Sequence, residues 1–254
     1  MKSFRRLPDG TFADVTAASG LTGQLGGLNA VHADYDNDGC VDILVLRGGW
    51  DRPQRKSLLR NDCKGGFADV TVAAGLDGPI TATQAAVWTD IDNDGLLDIF
   101  VGQEGGEAQL HLNQGDGTFR EIGKAAGLTH VAFTKGVVAF DYDNDGWQDL
   151  YASNLTGESF LYRNNRDRTF TEVALAAGVP GSLKAFASWA FDYDNDGWQD
   201  LFVTSYYTSV VESARTYLGL PPNGTTLKLY RNKGDGTFAD VSMAVGLGKV
   251  FMPM

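Results

Sequence analysis

The chain has 254 residues, 43% of them hydrophobic, with 32 glycines and a formal net charge of −11. That length is enough to bury a sizeable core, and the composition is globular and turn-rich. The negative balance argues against nucleic acid or an anionic membrane surface as a partner, and no run of 18 apolar residues marks a membrane-spanning helix.

The opening MKSFRRLPDG lacks the apolar stretch of a signal peptide. It leads into LPDGTFADVTAASGL from Leu7, read as an orphan outer strand (7–20) of a preceding sheet. A first full unit covers 29–76. It holds a small apolar strand (30–33), a nine-residue acidic loop (34–42), a strand apolar at successive positions (43–46), an L-x-R-N strand (58–61) and a last strand from Phe67. The same order returns in 84–128, 135–179 and 185–247, with acidic loops at 90–98, 141–149 and 192–200. The fourth unit carries an insertion at 206–226, and 248–254 reads as the start of a further, truncated unit. Successive loops begin 56, 51 and 51 residues apart. Units of four short strands, with Asp-Gly turns and a second strand apolar on both sides, predict an all-β fold. The expected architecture is a β-propeller of four-stranded antiparallel blades, with 1–254 a single propeller segment. Four sets of the first three strands stand against five outer strands, which favours an open arc; a closed four-bladed ring with redundant ends is the alternative.

The loops read DYDNDGCVD, DIDNDGLLD, DYDNDGWQD and DYDNDGWQD. Carboxylates at positions 1, 3, 5 and 9, with Gly at 6, suit a hard divalent cation that takes six to eight oxygens; without one they repel. An EF-hand needs Glu at position 12, where this chain has Val45, Val101, Ala152 and Val203. The expectation is one Ca²⁺ per loop between two strands, with position 7 offering its backbone carbonyl. The loops hold 16 of the 32 acidic residues, and four divalent ions would bring the charge to −3. Sites repeated in every blade read as structural staples rather than switches.

Cys40, at position 7 of the first loop, and Cys63, in the turn between the third and fourth strands, lie at the same end of one sheet. A disulfide is favoured over two free thiols. Trp147 and Trp198 hold position 7 in later loops, where packing on a neighbouring blade's rim outweighs sugar stacking. Trp88 and Trp189 are expected in the core. No residues are nominated as catalytic: the three histidines do not cluster, no nucleophile elbow or phosphate loop is present, and a metal-fixed carboxylate is a poor general acid.

The loops, the D-[IL]-[LFY]-V strands after them and the L-x-x-N…G-T-F-x-[DE]-V…A-G-L segments resemble the FG-GAP/VCBS repeat family. The likeness is strongest to secreted bacterial proteins that often end in an ASPIC/UnbV domain and are related to cartilage acidic protein; it covers essentially the whole chain. It implies a propeller, commonly seven-bladed, with calcium in each loop as in the integrin α head. The ligands carried over are Asp34, Asp36, Asp38, the Cys40 carbonyl and Asp42; Asp90, Asp92, Asp94, Leu96 and Asp98; Asp141, Asp143, Asp145, Trp147 and Asp149; and Asp192, Asp194, Asp196, Trp198 and Asp200. The ASPIC/UnbV tail itself is not in this sequence.

In an up-and-down blade the second–third and fourth–first connections lie opposite the acidic loops, and variable loops on a rigid frame are where recognition sits. Candidate contacts there are Trp50, Arg52, Arg55, Tyr206, Tyr207, Arg215 and Tyr217. The expected function is a non-enzymatic, extracellular or periplasmic platform for a protein or carbohydrate ligand, docked with the remaining blades of a longer chain. The alternative is a polysaccharide lyase or hydrolase using the same face.

Overall fold

The computed structural model describes residues 1–50, 52–181, 184–205, 210–220 and 227–247. Four antiparallel sheets follow one another along the chain. Blade 1 comprises β3 (Asn29–Ala33), β4 (Asp42–Leu46), β5 (Ser57–Asn61) and β6 (Phe67–Asp69). Blade 2 comprises β7 (Ala85–Thr89), β8 (Asp98–Gly102), β10 (Gln109–Asn113) and β11 (Phe119–Glu121). Blade 3 is β12 (Val131–Phe140), β13 (Asp149–Asn154), β14 (Phe160–Asn164) and β15 (Phe170–Glu172). Blade 4 is β16 (Ala185–Phe191), β17 (Asp200–Ser205), β18 (Lys228–Asn232) and β19 (Phe238–Asp240). Innermost strands β3, β7, β12 and β16 pack each on the next, as in a β-propeller.

The second strands are the most buried: every residue of β8 and β13 is inaccessible. Their unbroken apolar runs follow from sheets sandwiched on both faces. Each junction has its own apolar cluster, with Leu44, Leu46, Ile99 and Val101 between blades 1 and 2, Phe100, Leu110, Leu150 and Tyr162 between blades 2 and 3, and Tyr151, Leu161, Leu201 and Tyr230 between blades 3 and 4.

The A-G-L segments stitch one blade to the next. Phe67, Phe119 and Phe170 each donate a backbone N–H to the residue before such a glycine, at 2.9, 2.9 and 2.8 Å. The glycines are required by contact: a Cβ on Gly20, Gly75, Gly127 or Gly178 would stand 2.8–3.1 Å from a carbonyl of the following outer strand.

Several expectations change. The opening outer strand is not an orphan. β2 (Phe12–Asp14) is hairpinned with β1 (Phe4–Arg6), because the first residues supply the third strand that the repeat places before a D-G-T-F turn. The third blade's first strand begins at Val131, ahead of the unit start expected at 135. Its early half pairs with an added strand, β9 (Glu104–Glu107), making blade 3 five-stranded. Short helices α1 (Ala174–Ala177) and α2 (Val210–Tyr217) were not anticipated. Trp189, expected in the core, is 50% exposed on the outer face of blade 4 together with Phe191. Its counterparts Val31, Val87 and Val138 pack into junction clusters, whereas no such cluster among the described residues includes Trp189.

Candidate metal centres

Each acidic loop is wound by its own carboxylates. The position-1 aspartates Asp34, Asp90, Asp141 and Asp192 accept the N–H groups of positions 5 and 6 at 2.8–3.2 Å. Position 4 is Asn37, Asn93, Asn144 or Asn195, each in the left-handed region with φ of 52–59°, which Asn tolerates better than most side chains. The position-9 aspartates Asp42, Asp98, Asp149 and Asp200 begin the second strand and are fully buried. Each accepts the N–H of position 2 and the N–H of the L-x-x-N asparagine of its own blade: Asp98, for example, from Ile91 at 3.0 Å and Asn113 at 2.8 Å.

Positions 1, 3 and 9 converge. The trios Asp34–Asp36–Asp42, Asp90–Asp92–Asp98, Asp141–Asp143–Asp149 and Asp192–Asp194–Asp200 each bring three carboxylate oxygens within 4.8 Å of one another. The position-5 carboxylates Asp38, Asp94, Asp145 and Asp196 are not in the trios. They accept the N–H of position 7 (Cys40, Leu96, Trp147 and Trp198) at 2.9–3.0 Å, closing a local turn. Arginines hold outer oxygens: Arg60 on Asp36 at 2.6 Å, Arg166 on Asp145 at 2.7 Å, and Arg231 on Asp194 and Asp196 at 2.6 and 2.8 Å. Blade 2 has Leu112 where Arg60 and Arg231 stand. Its Asp92 is bound instead by Arg168, from the blade 3 turn, at 2.7 Å.

The trios fit a hard divalent cation. One oxygen each of Asp36, Asp92 and Asp143 is buried with no hydrogen-bond partner, and an orphaned buried carboxylate oxygen is costly unless a cation meets it. Burial pushes Asp98 up to about 7 and Asp149 to about 8, against the lowering effect of their backbone hydrogen bonds; the neighbouring aspartates push the same way as burial. Asp42, Asp143 and Asp200 are raised for the same leading reason. A divalent ion would supply the missing counter-charge, with only oxygen donors offered to it.

Cys40 and Cys63 are joined in a disulfide with Cα atoms 5.6 Å apart, tying the first loop to the blade's outer turn. Blades 2 and 4 make that contact by packing. A Cβ on Gly234 would lie 2.8 Å from the Trp198 indole, and one on Gly115 3.2 Å from Leu96. Trp198 therefore rests on the turn of its own blade, not on a neighbour's rim.

On the opposite face, four blades meet at Trp50. The residue is 54% exposed, its backbone sits at φ 70°, and its N–H donates to Glu104 at 2.7 Å. Lys135 Nζ, fully buried and paired with Glu104, lies 3.3 Å from the Trp50 ring centroid and 4.5 Å from that of Phe133. Phe186 of blade 4 stacks at 6.4 Å. Of the other candidate contacts, Arg55 is engaged at 2.6 Å by Asp69. It lines a separate cavity of about 430 Å³ with Arg47, Gln54 and Ile80. Arg52 is exposed; Arg215 and the 91%-exposed Tyr217 sit on α2. Tyr206 and Tyr207 lie outside the described residues. The Lys135–Glu104 pair was missed because no local motif links charges 31 residues apart.

Residues 90–152 and 141–203 match the family model of the FG-GAP-like repeat. Cartilage acidic protein 1 of Homo sapiens is 29% identical over 179 residues, covering 64% of this chain and 26% of that protein. The Xenopus tropicalis protein of the same name is 32% identical over 117 residues, covering 44% and 18%. The chain thus spans about a quarter or less of these relatives. Among solved structures, the biofilm matrix protein Bap1 of V. cholerae aligns with a TM-score of 0.49 at 16% identity, over 93% of this chain and 32% of that one. No helix among the described residues is long and apolar enough to cross a membrane.

Proposed function

As an FG-GAP-like repeat protein, the chain is, we propose, a calcium-stabilised propeller segment of a secreted protein, serving as a binding or adhesion platform. The unpartnered buried oxygens of Asp36, Asp92 and Asp143 carry the calcium reading. Bound calcium supplies positive charge and irregular oxygen coordination. The chain's own residues wind the loops and present three converging carboxylates, while the arginines hold the outer oxygens. Calcium thereby acts as a staple, since an unfolded chain has no preformed cage. The Cys40–Cys63 bond supports an oxidising compartment.

Two observations support further blades as the intramolecular partner. Gly246 is the counterpart of Gly178, yet a Cβ there would meet nothing within 4 Å, where the other A-G-L glycines meet the next blade. Trp189 and Phe191 lie exposed on the same last blade.

The ligand face is the one opposite the calcium loops. Trp50 supports this assignment: an exposed indole anchored from beneath by a buried ion pair is a rigid amphipathic contact surface. Its ligand is a protein or a carbohydrate. A glycan array run beside a turnover assay on acidic polysaccharides, with Trp50→Ala as comparison, tests it. Binding without turnover, lost in Trp50→Ala, is expected. Turnover abolished by deleting 206–226 would replace the platform with a polysaccharide-acting enzyme, and retention of all binding in Trp50→Ala would remove Trp50 from the ligand face.

A further inference from the structure

The acidic loops are wired to one another across the blade junctions. In the junction between blades 1 and 2, the Tyr35 N–H donates to Asp42 at 3.3 Å, and the Tyr35 carbonyl accepts Asn113 Nδ2 at 2.9 Å. The backbone N–H of the same asparagine holds Asp98 at 2.8 Å. One buried asparagine therefore touches the metal-binding frames of two loops. Asn164 repeats this between loops 2 and 3, with Nδ2 on the Ile91 carbonyl at 2.8 Å and N–H on Asp149 at 2.7 Å. Asn232 repeats it between loops 3 and 4, on the Tyr142 carbonyl at 2.7 Å and Asp200 at 2.8 Å. The result is a continuous line of hydrogen bonds, joined by the covalent frames of Tyr35, Ile91, Tyr142 and the three asparagines, through all four position-9 carboxylates.

A second line runs along the loop tips. Asn37, Asn93 and Asn144 each donate Nδ2 to the position-6 glycine carbonyl of the following loop, at 3.3, 3.0 and 3.3 Å. At the blade 2–3 junction Arg168 adds a third link to Asp92.

We propose that the four loops take up calcium as one coupled array, with Asn113, Asn164 and Asn232 as the positioning residues that carry the coupling. This rests on the calcium reading above. An ion that draws Asp90, Asp92 and Asp98 together fixes Asp98, and with it the backbone of Asn113. The side chain of Asn113 then holds the Tyr35 carbonyl, and the N–H of the same residue orients Asp42. The neighbouring loop is partly ordered before its own ion arrives, so the second ion meets a smaller ordering cost. Asn61 supplies a natural control. It makes the same local bonds, N–H to Asp42 at 2.7 Å and Nδ2 to the Val41 carbonyl at 3.0 Å, and among the described residues no bond to another loop is recorded for it.

The test is calorimetric calcium titration of the chelator-stripped chain. Wild type should show a Hill coefficient clearly above one, with neighbouring sites strengthening each other by a factor of roughly 5 to 150. Asn164→Ala should lower the coefficient and weaken the sites on both sides of the junction. Asn61→Ala should weaken one site and leave the cooperativity of the others. Since Asn164 is buried, Asn93→Ala, on the exposed tip of the same junction, gives a second break that does not disturb the core and should lower the coefficient by a smaller step. Four equal, independent sites in wild type, or undiminished cooperativity in both junction variants, would overturn the coupling while the calcium reading stood. Absence of any calcium heat would remove both.

Discussion

Chelation gives the sharpest measure of the cation's structural role. Four trios each present three carboxylate oxygens within 4.8 Å. A site with calcium at 100 times its dissociation constant stabilises the folded chain by about 2.7 kcal/mol, so four such sites contribute about 11 kcal/mol. At about 2.1 cal/mol/K per residue, a 254-residue chain has an unfolding entropy near 0.5 kcal/mol/K, so losing that contribution should lower Tm by about 20 °C. Differential scanning fluorimetry at pH 8, in 1 mM calcium and then in excess EGTA, reads it directly. Re-addition of calcium should restore the higher Tm, whereas magnesium, which demands tighter octahedral geometry, should restore less. A shift below about 2 °C, which is less than one such site would give, would refute the claim that these ions hold the blades.

Three further outcomes follow from separate features. Metal-free protein should lose stability as pH rises. Asp98 and Asp149 are raised to about 7 and about 8 against 3.8 for a free aspartate; folding then favours their protonated forms, a contribution complete below pH 4 and lost as pH climbs through 7–8. Tm in EGTA should therefore fall between pH 5 and 8.5, while calcium affinity rises over pH 6–8; a flat metal-free melt would count against the burial argument. Replacing Cys40 and Cys63 by Ser opens a loop with a sequence separation of 23. It should cost about 3 kcal/mol, or roughly 6 °C, in thermal melts. Lys135→Met strands the buried Glu104 carboxylate and should cost about 3–5 kcal/mol. Adding Glu104→Gln should recover part of that loss, and Trp50 fluorescence should shift in the single variant.

The repeat, the four-stranded unit and the convergence of positions 1, 3 and 9 were legible because each is written within about 50 contiguous residues. The Asp-Gly-Thr-Phe turns were legible for the same reason: Asp116, for instance, caps both the N–H and the hydroxyl of Thr118. Contacts between blades left no local trace. The asparagine of L-x-x-N was visible as a marker, but its bond to a carbonyl 73–90 residues away was not. The ties of position 5 to the position-7 N–H and, in blade 3, to Arg166 of the following turn had no signal in the acidic pattern itself. The segment Glu-Gly-Gly-Glu of β9 has no strand propensity; it extends because the early half of β12 offers it an edge. Trp189 reads as core from its place in a first strand, but the structure leaves it half exposed.

The pairing of β9 with β12 means that the second and third repeats are not separable bricks. Glu107 faces Val131 and Glu104 faces Phe133, so backbone from one repeat completes the sheet of its successor. A gene cut placed at the boundary the repeats advertise would slice through hydrogen-bonded backbone, whereas cuts on either side of the pair would not. In hydrogen–deuterium exchange the amides of 104–107 should open together with those of 131–133 rather than with the rest of their own repeat. Anyone lengthening, shortening or permuting this array would have to move those two repeats as a single piece.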